Sequence, residues 1–331
     1  MGVIDIEGKQ YLSDNSIFAD AFNFLLYGGD EVIKADELRE LDTTQIAIPF
    51  GNGARIPMQK HRDLLKLWSA MTDGNIIYVI LGGEVQDRVH YGMPVRDGLY
   101  DMIGYTRQIE EIRRSYKKQS SSEGGTEAEN NADDAEMLIE DGMFKIKLTS
   151  DEFLSGMRKG DKLIPIVTAV IYLRPEPWDG PLSLFDMLDV KDERLYPFLN
   201  DYKLNLIAPA SIEDADFDKF HTDFGLAMKV LKYQDDDADR IIEETGHKMI
   251  GSNTAVFLNR VANLGLEFEE EGGKVDMCAA MEKRSQKDKV SGVIEGMKLM
   301  GASENDIINK VMETYNVTKE YVLALLAPKT A

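Results

Sequence analysis

The hydrophobic positions change period several times along this chain, and each change marks an element. In residues 13–27, Phe18, Phe22, Leu25 and Leu26 recur at i, i+4, i+7 and i+8, which predicts a helix with one apolar stripe. Ser13 or Asp14 stands where an N-cap would start it. Residues 45–50 and 55–59 flank Gly51-Asn52-Gly53, and the Asn-Gly between them predicts a hairpin. Residues 76–81, IIYVIL, are an apolar, β-branched run and predict a buried central strand. Pro94 fits the first turn of a helix whose apolar face is Val95, Leu99, Met102 and Ile103. Residues 163–173 predict a second buried strand, residues 203–208 another short one, and residues 218–233 a helix. This order describes a mixed α/β domain whose central sheet is covered by helices.

The pattern lapses once. Residues 119–141, QSSSEGGTEAENNADDAEMLIED, carry 8 acidic and no basic groups and almost no apolar residue before Met137. Such a stretch cannot build a core and is expected to be a flexible insertion without regular structure or catalytic role. From about residue 276 the helical period returns. Residues 290–300 predict one helix, Ser303 starts a second with Ser-x-x-Asp, Thr318 starts a third, and Gly301 and Asn316 mark the turns. The expected division is therefore a domain over residues 1–233, a connecting helical region over 234–275, and a small C-terminal helical module over 276–331. That module has no basic recognition helix, so a helical or homo-oligomerisation role fits it better than DNA reading.

Composition narrows the function classes. The 331 residues include a single cysteine, Cys278, and His61, His90, His221 and His247 are scattered, so neither a disulfide nor a zinc site is expected. The N-terminus has no secretory pattern and the apolar runs are too short to span a bilayer, which points to the cytoplasm and away from a membrane. A net charge of −21 argues against a dedicated nucleic-acid binder. Its distribution softens that objection. Residues 1–118 hold 14 basic against 18 acidic groups, so a local basic groove is compatible with the total.

The candidate chemistry lies in residues 62–100. Asp63 is followed 21 residues later by Glu84, at the end of the predicted strand, with Gln86 two positions on. Phosphodiester hydrolysis needs a hard divalent cation to activate water and neutralise developing charge, and Mg²⁺ takes carboxylate oxygens while keeping several waters. Asp63 and Glu84 can supply two carboxylates if the strand before Asp63 pairs with the one carrying Glu84. Glu84 and Gln86 share a strand face, and the Val85 carbonyl is a further candidate ligand. Arg96 can hold a phosphate near a helix N-terminus. His61 and His90 flank the set and can assist proton transfer.

These pieces resemble a known family. Arg62-Asp63-Leu64, Ile80-Leu81-Gly82-Gly83-Glu84-Val85-Gln86 and Met93-Pro94-Val95-Arg96 with Tyr100 are similar to motifs of the recombination-promoting nuclease and transposase-like family of the PD-(D/E)XK nuclease superfamily. Further matches are Phe18-Ala19-Asp20-Ala21-Phe22 and Glu176-Pro177-Trp178-Asp179-Gly180-Pro181. The resemblance covers roughly residues 11–233. It implies an α/β, restriction-endonuclease-like core with a mixed central sheet flanked by helices, binding Mg²⁺ or Mn²⁺ and cutting DNA in recombination or transposition. It implies catalytic roles for Asp63, Glu84 and Gln86, metal ligation by Asp63, Glu84 and Val85, and phosphate or DNA contacts from Arg62, Arg96 and Tyr100. The superfamily's usual Glu-x-Lys is Glu-x-Gln here, so no lysine stands at that position. The family's first-helix Asp falls at Asn15. Its neighbour Asp14, about 40° from Phe18 on a helical wheel, is then the candidate third carboxylate, while Asp20 falls about 160° away. Two alternatives stand beside the nuclease. One is a catalytically silent module that binds DNA or protein; the other is a metabolic hydrolase using the same carboxylates.

Overall fold

The computed structural model describes residues 2–47, 58–72, 75–121, 137–140, 143–146, 149–234, 242 and 248–327. They form two compact units. One comprises Leu12–Tyr172 and Trp178–Ala208; the other comprises Met1–Tyr11, Leu173–Pro177 and Pro209–Ala331. The boundary expected at residue 233 thus falls inside the second unit. Among the described residues no helix is long and apolar enough to cross a membrane.

The first unit is α/β, built on a mixed five-stranded sheet in the order β1-β4-β5-β8-β9. Strand β1 is Leu38–Glu40, β4 is Leu64–Thr72, β5 is Asn75–Gln86, β8 is Ile166–Tyr172 and β9 is Asn205–Ile207. β1, β4 and β5 run antiparallel, whereas β5, β8 and β9 run parallel. A parallel neighbour needs a crossover, and α3, Met93–Ser121, supplies it. β5 is the central strand, as expected, but its buried half is shifted. Ile76 and Tyr78 are exposed, while Leu81 and Val85 are buried. The reason is register: β8 pairs with β5 only from Ile80 to Gln86, so the start of β5 has β4 alone beside it.

Side-chain alternation divides the sheet faces. A Cβ on Gly83 would lie 3.4 Å from the Phe18 ring, so α2, Asn15–Tyr27, packs on the face of Leu64 and Gly83. Residues Ile17, Phe18, Ala19, Asp20, Ala21, Phe22 and Asn23 are all buried, so these two turns of α2 are enclosed on every side and not along one stripe, while Leu26, part of the expected stripe, is exposed. This corrects the helical-wheel assignment. Asp14 is an exposed N-cap, accepting the Ser16 N–H at 2.8 Å, and Asp20 is the buried acid. Lys66, on the same face, donates to the Ser13 carbonyl at 2.6 Å, and burial pushes its ammonium below the usual lysine value.

α3 covers the other face, and its buried side only partly matches the one expected. Val95 and Met102 are exposed and Leu99 is half-buried; Met93, Asp97, Tyr100, Asp101 and the expected Ile103 are buried. The buried stripe follows the helical period but includes two aspartates, so a search for apolar spacing found only part of it. The hairpin expected around residues 51–53 is present as β2, Thr44–Ala47, paired with β3, Met58–His61, and its turn lies outside the described residues. The acidic stretch at 119–141 is regular at both ends. α3 runs on to Ser121, and β6, Met137–Glu140, pairs antiparallel with β7, Met143–Ile146; residues 122–136 lie outside the described set. α4, Ser150–Ser155, follows with a Thr149/Glu152 capping box.

In the second unit, α5, Phe224–Lys232, belongs with α6, Ser252–Val261, and with the pair β10, Met249–Gly251, and β11, Lys274–Asp276. Tyr11, on α1, Val3–Leu12, stacks on Phe257 at 4.3 Å, and its hydroxyl lies 3.1 Å from that of Thr254. The tail has three helices: α7, Met277–Leu299, which starts 13 residues before the helix expected over 290–300; and α8, Glu304–Tyr315, and α9, Lys319–Leu326, which start where the sequence predicts. Ser303 and Thr318 cap α8 and α9. Val290, Ile294, Ile307, Ile308, Val311 and Val322 form the core of this module.

Candidate active site

Asp63 closes the loop that enters β4. The strand pairing with β5 therefore follows Asp63, where the sequence reading placed one before it. The β4–β5 register sets Leu64 opposite Gly83, and one step further sets Asp63 opposite Glu84. Residues directly opposed across an antiparallel pair point to the same face, which brings both carboxylates to the α3 side. Asp63 Oδ2 accepts the Val85 N–H at 3.0 Å, a ladder donor left over where β4 begins. Gln86, two residues along, faces the same way, but its amide donates to the Val85 carbonyl at 2.8 Å. That carbonyl, a candidate ligand, keeps its second lone pair.

Glu84 is fully buried. Its Oε2 accepts from Arg96 at 3.0 Å, whereas Oε1 has no hydrogen-bond partner among the described residues. Burial pushes the Glu84 carboxyl up to about 8; Asp63 adds to this and Arg96 opposes it. The residue after Arg96 is Asp97, also buried, whose Oδ1 has no partner among the described residues. Burial raises it to about 7, against the opposing pull of Arg62. His90 is exposed, and the side chain of His61 lies outside the described set.

Arg62 does not fit its expected role as a phosphate contact. Its guanidinium is buried over Gly82 and spent on Asp101 and Thr168. Thr168 in turn donates to Asp101 at 2.7 Å, and Tyr202 donates to the other Asp101 oxygen. Tyr100 is likewise buried and unsuited to direct DNA contact. The Arg62 and Arg96 guanidinium carbons lie 5.3 and 5.5 Å from its ring centre, and Arg96 Nε donates to its hydroxyl at 3.2 Å. Arg96 is the one partly exposed cation of this set, with a side chain 30% exposed. Asp14, an exposed cap, takes no part in the contacts described here.

Sequence reasoning missed Asp97, Asp101, Thr168 and Tyr202. Asp97 and Asp101 were within reach of it. They share a helix face with Tyr100 at i, i+3 and i+4, a polar stripe that an isolated surface helix has no reason to bury. Thr168 and Tyr202 carried no local signal; only the β5–β8 register, Gly82 opposite Thr168, brings β8 into the group.

The site thus gathers Arg62 and Arg96 against Asp63, Glu84, Asp97 and Asp101. With every group ionised this leaves a surplus of two negative charges, held in a place where unpaired charge is expensive. Two protons or one divalent cation would balance it. Asp63 and Glu84 are the side chains suited to Mg²⁺, which is commonly held by one or two carboxylates together with waters and substrate phosphates, and the partnerless Glu84 Oε1 fits that demand. Among the described residues no three His, Cys, Asp or Glu side chains gather closely enough to enclose a metal by themselves. Comparison of the chain with protein-family models, with curated proteins and with solved structures found no match in any of the three.

Proposed function

We propose that this protein is a restriction-endonuclease-like, Mg²⁺- or Mn²⁺-dependent nuclease that hydrolyses phosphodiester bonds in DNA, with the role in recombination or transposition that the sequence resemblance implies. The observation that carries the reading is the buried carboxylate pair Asp63 and Glu84, on one sheet face at the β4–β5 end, with Glu84 Oε1 lacking a hydrogen-bond partner among the described residues. A divalent cation bound there supplies positive charge to an attacking water and to the scissile phosphate. Asp63 and Glu84 hold it. Gln86, whose side chain now reaches its own backbone, turns outward to orient the water. Arg96, partly exposed and one turn into α3, exchanges Glu84 for a phosphate oxygen, a contact its planar fork suits. It thereby stands in for the cation that the absent lysine would have provided.

The test is cleavage of supercoiled and linear DNA by purified protein with Mg²⁺, Mn²⁺ or EDTA. The expected result is cutting with either cation and none in EDTA, with Asp63→Asn and Glu84→Gln each losing about 100-fold or more, as removal of a metal ligand or its support does. Cutting that survives Glu84→Gln would refute the assignment. The Arg96–Glu84 ion pair favours a second reading, a catalytically silent nuclease-fold module that binds DNA or protein, because that pair satisfies one Glu84 oxygen without a metal. DNA binding without cutting under every cation would make this the better account.

A further inference from the structure

We propose that the far end of α3 and the turn after α4 form a second DNA contact, about eight base pairs from the carboxylates, so that a duplex lies along this helix. The ligand's identity rests on the nuclease reading, and the test below separates the two.

Length comes first. Twenty-nine helical residues extend about 43 Å, whereas the seven residues of β8 extend about 23 Å. The C-terminal half of α3 therefore runs past the start of β8. The turn at residues 156–164 is fastened to that overhang. The Gln108 amide donates to the Ile164 carbonyl at 3.0 Å and accepts the Ile164 N–H at 2.7 Å. The Tyr116 hydroxyl donates to Asp161 at 2.6 Å. Gly156 is a close approach: a Cβ there would lie 3.1 Å from Arg113 Cδ.

This fastening gathers cations. Arg113, Arg158, Lys159 and Lys162 have no ion pair among the described residues, and Arg113, Lys159 and Lys162 are exposed. The Arg158 guanidinium stacks 4.2 Å from the Tyr116 ring centre, with Nε lacking a partner among the described residues. Of the nearby acids, Glu110 and Glu111 pair with Arg114 and Arg107, while Asp161, which accepts from Tyr116, Glu152, which closes the α4 capping box, and the exposed Asp151 offset part of this charge. Lys117 and Lys118 follow in sequence. In a chain of net charge −21, such a local surplus of positive charge suits a regular polyanion.

Spacing gives the geometry. From Arg96 to Arg113 is about 26 Å along the helix axis, and duplex DNA rises about 3.4 Å per base pair, giving about eight base pairs between the two contacts.

The test is fluorescence anisotropy on duplexes of about six and about thirty base pairs, in EDTA so that no cutting intervenes, over a salt series. The variant is Arg113→Ala/Arg158→Ala/Lys159→Ala/Lys162→Ala. A second variant retains Arg158, so that loss of its stacking cannot be mistaken for loss of binding. On the long duplex the quadruple variant is expected to bind more weakly, with a slope of log affinity against log salt shallower by about 3 to 4, at roughly 0.9 per phosphate; the triple variant loses roughly 3. On the short duplex both should match the parent. A parent that binds and cuts DNA, with variants of unchanged affinity and slope, overturns the second contact and leaves the nuclease intact. A parent with no salt-sensitive DNA binding overturns both. Replacing Arg113 by Lys should preserve the slope.

Discussion

Replacing Glu84 by Gln removes a charge and keeps the shape, so it isolates what the buried carboxylate costs the fold. Burial moves that carboxyl from 4.5 to about 8, so at about 1.4 kcal/mol per pH unit its ionisation costs on the order of 5 kcal/mol more in the folded than in the unfolded chain. The sign follows from proton binding. Between these two values the folded chain holds a proton that the unfolded chain releases, so stability is fully present below 4.5 and is lost as the pH rises through about 8. Glu84→Gln has no such loss. Arg96 loses its partner, but its side chain is 30% exposed and regains water, at a cost of about 0–1 kcal/mol. Asp97 titrates in both proteins and largely cancels in the difference. Urea unfolding in EDTA should therefore show the variant close to the parent at about pH 5 and more stable by about 2–5 kcal/mol at about pH 9. Adding Mg²⁺ at high pH should stabilise the parent alone, because a cation binding only the folded state adds RT ln(1 + [L]/Kd). A gap between variant and parent that is constant from pH 5 to 9 would show that the fold does not hold Glu84 away from water, and the reasoning would fail.

Two further outcomes follow from the Arg62 network. Gly82→Ala drives a methyl into the Arg62 guanidinium and should cost about 1–3 kcal/mol by urea unfolding, more than Gly83→Ala, whose Cβ would meet Leu64 and Phe18 at an accommodating 3.4 Å. Arg62→Met or Asp101→Leu alone should cost about 3–5 kcal/mol by leaving a buried charge unpaired, whereas the double variant should cost less than either; strict additivity would mean that the two side chains do not pair.

The strands that sequence made legible are those where apolar side chains dominate: β8 falls within its predicted span, and β5 contains its own. The tail was legible through its caps. Ser303 and Thr318 make side-chain bonds to helix N–H groups, and Asn316 takes φ 52° at a C-cap, a conformation its residue type favours. That Asp63 and Glu84 share a sheet face was legible in their spacing and in the strand before Glu84. What stayed hidden was the polar side of the site. Periodicity counts apolar residues, and the buried face of α3 includes Asp97 and Asp101, which are inside because Arg62 and Thr168 meet them from the sheet. Arg62 was unreadable for a related reason: nothing local separates a phosphate-binding arginine from one buried over a glycine. Asp14 and Asp20 changed places because a helical wheel presumes one wet face, and α2 has none over Ile17–Asn23.

The crossover between β5 and β8 also bears on how the chain folds. The pair Ile80 and Ile166 closes a segment of 86 residues, and the β5–β8 pairing cannot form until its ends meet. Such non-local pairing makes folding slow, because closure entropy is lost before any contact rewards it. Yet that entropy grows only with the logarithm of loop length. The 15 residues at 122–136 lie inside this crossover, and lengthening it from about 71 to 86 residues raises the closure cost by only about 0.2 kcal/mol. A chain already committed to so long a closure can lose or gain an acidic tract there with almost no change in equilibrium stability. Variation in length should therefore be better tolerated at residues 122–136 than in the two residues that separate β4 from β5.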